Sequence, residues 1–315
     1  MTVAAADARI RRLRPPKPRV DPYTAHGALV EEERRPDGTR ERALTVFLAG
    51  AECPFTCSFC DLWRYTIDGP TPPGALAAQV EKILNNAASP LPQRIKLYNA
   101  SNFFDRRAVP LADRDRLAAL AEPFDGVTVE SHVNTIGKET LAFARRLRGR
   151  LEVAVGLETI HPEAAARLNK RLELPRFDAA ARLLADNGID LRVFVLVGAP
   201  HVPRAESVDW TIRTVEYAVA QGASVVAIIP VRGGNGELER LQSLGEFTPP
   251  SLSQLEAALD GCLHFAGCVV TADSWDVERF AVCGACRVSR ADRLRRINLT
   301  GWPEARVDCA ECGGT

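Results

Sequence analysis

Leu44-Thr45-Val46-Phe47-Leu48-Ala49-Gly50-Ala51-Glu52-Cys53-Pro54-Phe55-Thr56-Cys57-Ser58-Phe59-Cys60 is the stretch on which the fold turns. Its first six residues are a short apolar run with β-branched and aromatic members, the pattern of a buried strand. Pro54 bars a simple helical continuation, which places the three cysteines on a loop leaving that strand. A loop at C-x3-C-x2-C spacing turns three sulfurs toward one point, as thiolate ligation of an iron–sulfur cluster requires. Three ligands leave one metal position without a protein sulfur, and an open position is where a small molecule binds and is activated. The competing reading is a structural zinc site or three packed cysteines. Zinc normally closes its shell with four protein ligands, and no further cysteine or histidine occurs before His132.

Outward from this loop, short apolar runs alternate with helical patterns from residue 43 onward, the βαβ rhythm of a parallel sheet. Strands are expected near 43–50, 94–99, 126–131, 151–157, 191–198 and 223–230, with helices between them. Asn187-Gly188 and Gln221-Gly222 read as helix stops immediately before strands. Six β/α units in series predict an α/β fold, a partial TIM-type (β/α)6 barrel, whose chemistry belongs on loops at the strand C-termini. The reading divides the chain into an N-terminal extension (1–42), a core barrel (43–245), an α/β extension (246–282) and a four-cysteine module (283–315).

The cysteine loop resembles the signature of radical S-adenosylmethionine (SAM) enzymes, with an aromatic residue, Phe59, just before the third cysteine. The resemblance implies a [4Fe–4S] cluster on Cys53, Cys57 and Cys60, with SAM chelating the fourth iron. It also implies reductive cleavage to a 5′-deoxyadenosyl radical that abstracts hydrogen from an organic substrate, and a flavodoxin- or ferredoxin-like electron donor as partner. The stretches Val129-Glu130-Ser131-His132, Val155-Gly156-Leu157-Glu158-Thr159 and Leu168-Asn169-Lys170-Arg171 are similar to the elongator-like and coproporphyrinogen-oxidase-like branch. Carried over, Glu158 contacts the SAM ribose, Arg171 pairs the SAM carboxylate, and Glu130 stands as a further cofactor contact. Where the family usually has a Gly-Gly-Glu-like motif holding the SAM amino group, this chain has Asn99, Ser101 and Asn102, which offer amides and a hydroxyl instead. Gly198 falls where the family contacts the adenine. His201 reads as a surface loop residue or a substrate acid/base, and Gly233, Gly234 and Gly236 as a close-fitting or mobile lid.

Cys283-Gly284-Ala285-Cys286 and Cys309-Ala310-Glu311-Cys312 form C-x2-C-x22-C-x2-C, which suits a four-cysteine site. The readings are a Zn2+ site of zinc-ribbon type or a second [4Fe–4S] cluster. Between the pairs lie Arg287, Arg290, Arg293, Arg295, Arg296 and Arg306, with Trp302 following. They read either as an RNA-binding surface or as a solvated helix face. The expected substrate is a tRNA nucleoside or other RNA, with a small molecule or cofactor precursor as the alternative. A non-catalytic iron–sulfur or zinc RNA-binding protein is the reading from another class.

Bulk properties fit these readings. Of nine cysteines, seven fall in the paired or tripled groups, which suits metal binding in a reducing compartment rather than a disulfide framework. Formal net charge is zero, so the whole molecule makes no general case for nucleic acid or membrane. The Arg-rich start (Arg9, Arg11, Arg12, Arg14) is followed by no hydrophobic stretch, no segment is long and apolar enough to span a bilayer, and a cytoplasmic location is expected.

Overall fold

The computed structural model describes residues 2–313. In chain order the elements are α1 (Val3–Leu13), β1 (Gly27–Arg34), β2 (Arg40–Phe47), α2 (Ala75–Asn85), β3 (Arg94–Tyr98), α3 (Leu111–Leu120), β4 (Gly126–Ser131), α4 (Lys138–Ala144) and β5 (Arg150–Glu158). There follow α5 (Pro162–Arg167), α6 (Leu174–Asp186), β6 (Asp190–Val197), α7 (Ser207–Ala220), β7 (Val225–Pro230), α8 (Glu237–Ser243), α9 (Leu252–Cys262), β8 (Val269–Ala272) and α10 (Arg287–Thr300). The strands form one sheet in the order β1 to β8, parallel from β2 onward, with β1 antiparallel at one edge. The result is an α/β partial barrel.

The two faces of the sheet separate by chemistry. Val46, Ile95, Leu97, Val127, Val129, Val153, Val155, Val193 and Val195 pack with Leu76, Leu117, Phe143, Phe177, Val215 and Leu255 from the helices, in one continuous core. The alternate strand positions point the other way and are charged at the base of the barrel. There Arg192 donates to Glu152 (2.6 Å) and Glu33 (2.8 Å), Lys96 donates to Glu33 (2.7 Å) and Glu31, and Thr128 donates to Glu152 (3.1 Å). A buried charge persists only when paired and hydrogen-bonded, and each member of this network has its partner. One tier toward the strand C-termini the same face becomes aromatic. Phe47 and Tyr98 are register partners, Tyr98 meets Phe194 edge-on at 6.4 Å, and Phe47 meets Trp275 at 6.5 Å.

Strands β2 to β7 lie where the apolar runs put them, within a few residues. The helix stops are also as read: after α6 and α7 the chain turns at Gly188 (φ +65°) and Gly222 (φ +86°), a left-handed conformation that glycine adopts at little cost. Two strands extend the sheet beyond six. β8 (Val269–Ala272) lies within the stretch read as an α/β extension. β1 lies inside the stretch read as an N-terminal extension. Its sequence, Gly-Ala-Leu-Val-Glu-Glu-Glu-Arg, carries no apolar alternation, because Glu31 and Glu33 face the charged base and meet Lys96. Among the described residues, no helix is long and apolar enough to cross a membrane.

Candidate active site

The cysteine loop leaves β2 at the C-terminal rim of the barrel and is held from several sides. Ser58 N–H donates to the Leu168 carbonyl (2.9 Å), and Asn235 Nδ2 donates to the carbonyls of Ser58 (2.9 Å) and Cys60 (3.4 Å). Phe55 stacks on the His132 ring at 4.1 Å, and His132 Nε2 in turn meets the Lys170 carbonyl at 3.1 Å. The glycine-rich loop after β7, read from sequence as a lid, therefore serves through Asn235 as a strut under the cysteines. Burial pushes all three thiols up, Cys57 to about 12. Thiols in that state ionise when a metal compensates the charge.

Beside the loop, the end of β3 and the end of β4 gather polar groups without partners. Both side-chain polar atoms of Asn99, the Ser101 hydroxyl and Glu130 Oε1 are buried and make no hydrogen bond; so does Ser58 Oγ within the loop. Burial raises Glu130 to about 7, against the pull of the backbone N–H groups of Ala100, Asn99 and Ser101. An unmade hydrogen bond at a buried polar atom costs about 1–3 kcal/mol, so a cluster of them marks a place built for a polar ligand. Asn102 Nδ2 donates to Cys53 Sγ at 3.4 Å. Three cysteines for a cluster and a set of unpartnered donors and acceptors for a cationic, hydrogen-bonding ligand fit a [4Fe–4S] cluster with SAM. On the far side of Cys53 a cleft of about 250 Å³ opens between Arg11, Glu52, Asp68 and Arg107.

The other residues carried over from the resemblance have partners within the chain. Glu158 is buried, sits at φ +69°, and accepts from Lys170 Nζ at 2.8 Å. The β-bulge between Gly156 and Glu158 brings the pair against the strand, where a Cβ at position 156 would overlap both Glu158 Oε1 and Lys170 Nζ. Arg171 pairs with Asp7 in α1 and lies 5.8 Å from the Phe55 ring. Burial pushes Asp7 up, but hydrogen bonds from Thr56, Asn169 and Arg171 hold it at about 2. Gly198 (φ +75°) is explained by packing, since a Cβ there would strike Pro250. His201 has a side chain only 5% exposed and faces Glu246 at 3.4 Å, so it is not the surface residue expected.

Three participants escaped the sequence reading: Lys170, Asn235 and Asp7. Lys170 had a signal, because a buried Glu158 requires a cation and the next lysine in the chain supplies it. Lys170 Nζ also lies 5.9 Å from the Phe59 ring. Asp7 and Asn235 stand 49 and 177 residues from the loop positions they bind, beyond the reach of any local pattern. The N-terminal arm is tied down repeatedly, by Arg9 to Glu237 (2.9 Å), Arg14 to Glu52 (2.7 Å) and Lys17 to Asp68 (2.9 Å).

At the other end of the chain, the sulfurs of Cys283, Cys286, Cys309 and Cys312 all lie within 4.8 Å of one another. Residues 283–313 contain α10 and turns but no strand, so the pairs are not carried on β-hairpins as a zinc ribbon would carry them. Five of the six arginines between and beside the pairs are spent on internal ion pairs. Arg290 binds Glu256 (2.5 Å), Arg293 binds Asp260 (2.7 Å), Arg295 binds Glu278 (2.5 Å), Arg296 binds Glu304 (2.8 Å) and Arg306 approaches Asp260 (3.5 Å).

Sequence comparison matches the chain to no family model and to no curated protein. Solved structures do resemble it. Methylornithine synthase (PylB) aligns with a TM-score of 0.50 at 16% identity, over 70% of this chain and 62% of that one. The archaeal Methanocaldococcus infernus Elp3 with its N-terminus deleted aligns with a TM-score of 0.52 at 13% identity, over 75% and 60%. A radical SAM methyltransferase from Sphaerobacter thermophilus aligns with a TM-score of 0.50 at 15% identity, over 80% and 76%. The chain thus spans about three fifths of the length of the first two. At these identities the likeness is one of fold, an α/β partial barrel.

Proposed function

We propose that this chain is a radical SAM enzyme that acts on a small organic substrate bound on the concave face of the barrel. The observation that carries the reading is the meeting of the Cys53, Cys57 and Cys60 loop with the unpartnered buried atoms of Asn99, Ser101 and Glu130. When bound, the [4Fe–4S] cluster and SAM supply reductive cleavage to a 5′-deoxyadenosyl radical that removes hydrogen from the substrate. The three cysteines hold the cluster, and Asn102 tunes it through its bond to Cys53. Glu130, Asn99 and Ser101 would hydrogen-bond the SAM amino group. The Lys170 ammonium, fixed by Glu158, offsets the negative charge of the thiolates. Phe47, Tyr98 and Phe194 give the same face of the sheet an aromatic tier.

The burial of Arg290 and Arg293 favours a small substrate over RNA, because guanidinium groups held inside the fold do not reach phosphates. An external electron donor of flavodoxin or ferredoxin type completes the reaction. The reading is tested by electron paramagnetic resonance of anaerobically reconstituted, dithionite-reduced protein. Addition of SAM is expected to change the cluster signal, and Cys57→Ala to remove the signal. A reduced cluster whose spectrum ignores saturating SAM contradicts the reading.

A further inference from the structure

The geometry points to the C-terminal cysteines as the ligands of one Zn2+ ion, a structural clasp rather than a second redox centre. The argument rests on sulfur spacing. A tetrahedral ion with metal–sulfur bonds of about 2.3 Å has its ligand sulfurs about 3.8 Å apart. Here Cys283 Sγ and Cys309 Sγ are 3.9 Å apart, and Cys286 Sγ and Cys312 Sγ 3.7 Å. All four fall within 4.8 Å. A cubane cluster binds each cysteine through a different iron at a different corner, so its four sulfurs stand off the cube well away from one another. Four thiolates gathered around one point leave no room for eight further atoms between them. Among divalent ions, a closed tetrathiolate shell without an open position suits Zn2+ as a structural metal.

The surroundings show what the clasp holds. Cys286 occupies the N-cap position of α10, which joins the clasp directly to that helix. Arg293 on the same helix is buried and donates to the carbonyls of Glu304 (2.7 Å) and Ala305 (3.0 Å). Those bonds fold the tail back so that Cys309 and Cys312 meet the first pair. Arg290 ties the helix to α9 through Glu256 and Ser253 (2.7 Å). Asn298 pairs with both the N–H (2.9 Å) and the carbonyl (2.7 Å) of Ala272 on β8, covering the open edge of the sheet. The metal therefore fixes the element that closes the barrel's last strand. On the proposed function, the tail would then supply no relay for electrons to the cysteine loop.

The test separates this site from the loop. The full chain carrying Cys53→Ala, Cys57→Ala and Cys60→Ala is produced with both zinc and iron in the medium, and its metal and acid-labile sulfide are counted. One zinc per chain with no sulfide is expected. Iron with sulfide, a single iron, or no metal overturns the proposal, whatever becomes of the SAM chemistry. Should that variant not fold, the wild-type chain loaded with Co2+ answers the same question. The visible bands of a tetrahedral tetrathiolate are expected, to be lost in Cys309→Ser. Their absence from wild type, or their persistence in Cys309→Ser, overturns it.

Discussion

Glu130→Gln changes one oxygen of the candidate site and is expected to stabilise the protein while weakening its ligand. In the folded chain burial raises the Glu130 carboxyl from 4.5 to about 7. Between those values the fold keeps a proton that the unfolded chain has lost, so stability falls as pH rises through the window. The full penalty applies above about 7 and corresponds to about 3 kcal/mol. Glutamine imitates the protonated acid and escapes it. Melting temperatures compared without SAM at about pH 5 and pH 8 should therefore be similar at the lower pH. At the higher pH the variant should melt on the order of 5 °C above wild type. His132, which burial lowers to about 4, titrates nearby with the opposite sign, but it is common to both proteins and cancels in the difference. SAM binding measured by calorimetry should be weaker in the variant. A variant no more stable than wild type at the higher pH refutes the claim that an unsatisfied carboxyl is stored here for a ligand.

Further predictions follow from the barrel base and the N-terminal arm. Glu152→Gln strips Arg192 and Arg35 of a fully buried partner, and urea unfolding should show a loss of about 3–5 kcal/mol. In the same network burial pushes Glu33 up, but Arg192 and Lys96 hold it at about 2. Its contribution is complete above about 4.5, and acid titration of stability should show it lost as pH falls from there toward about 2. Asp7→Asn should loosen α1 from the cysteine loop, with hydrogen exchange over residues 3–13 faster on the order of tenfold, as ~1.4 kcal/mol of local stability gives. Unchanged exchange there would show that Arg9, Arg14 and Lys17 hold the arm without Asp7.

The parts legible in the sequence are those whose cause is local. The strands β2 to β7 show as apolar runs because their outward residues face helices, and the cysteine loop shows because its spacing is complete within eight residues. β1 was hidden by its own chemistry: the glutamates that make it look like a solvated stretch are inward, paired with Lys96 and Arg192. Arg290 and Arg293 misled in the same way. Each is fully buried, and the carboxylates that make burial tolerable, Glu256 and Asp260, lie 34 and 33 residues earlier on another helix. The partner that Arg171 meets, Asp7, comes from the chain's first helix, 164 residues away. Ionic partners distant in sequence leave no periodicity to read, and such pairs set much of this site.

Radical chemistry is proposed at the cysteine loop. Its most direct test is formation of 5′-deoxyadenosine from SAM by anaerobically reconstituted, dithionite-reduced protein, with Cys57→Ala alongside. We expect product from the wild type, none from Cys57→Ala, and undiminished zinc in both. Product formed equally by both proteins, or failure of the wild type to bind SAM at all, would contradict the account.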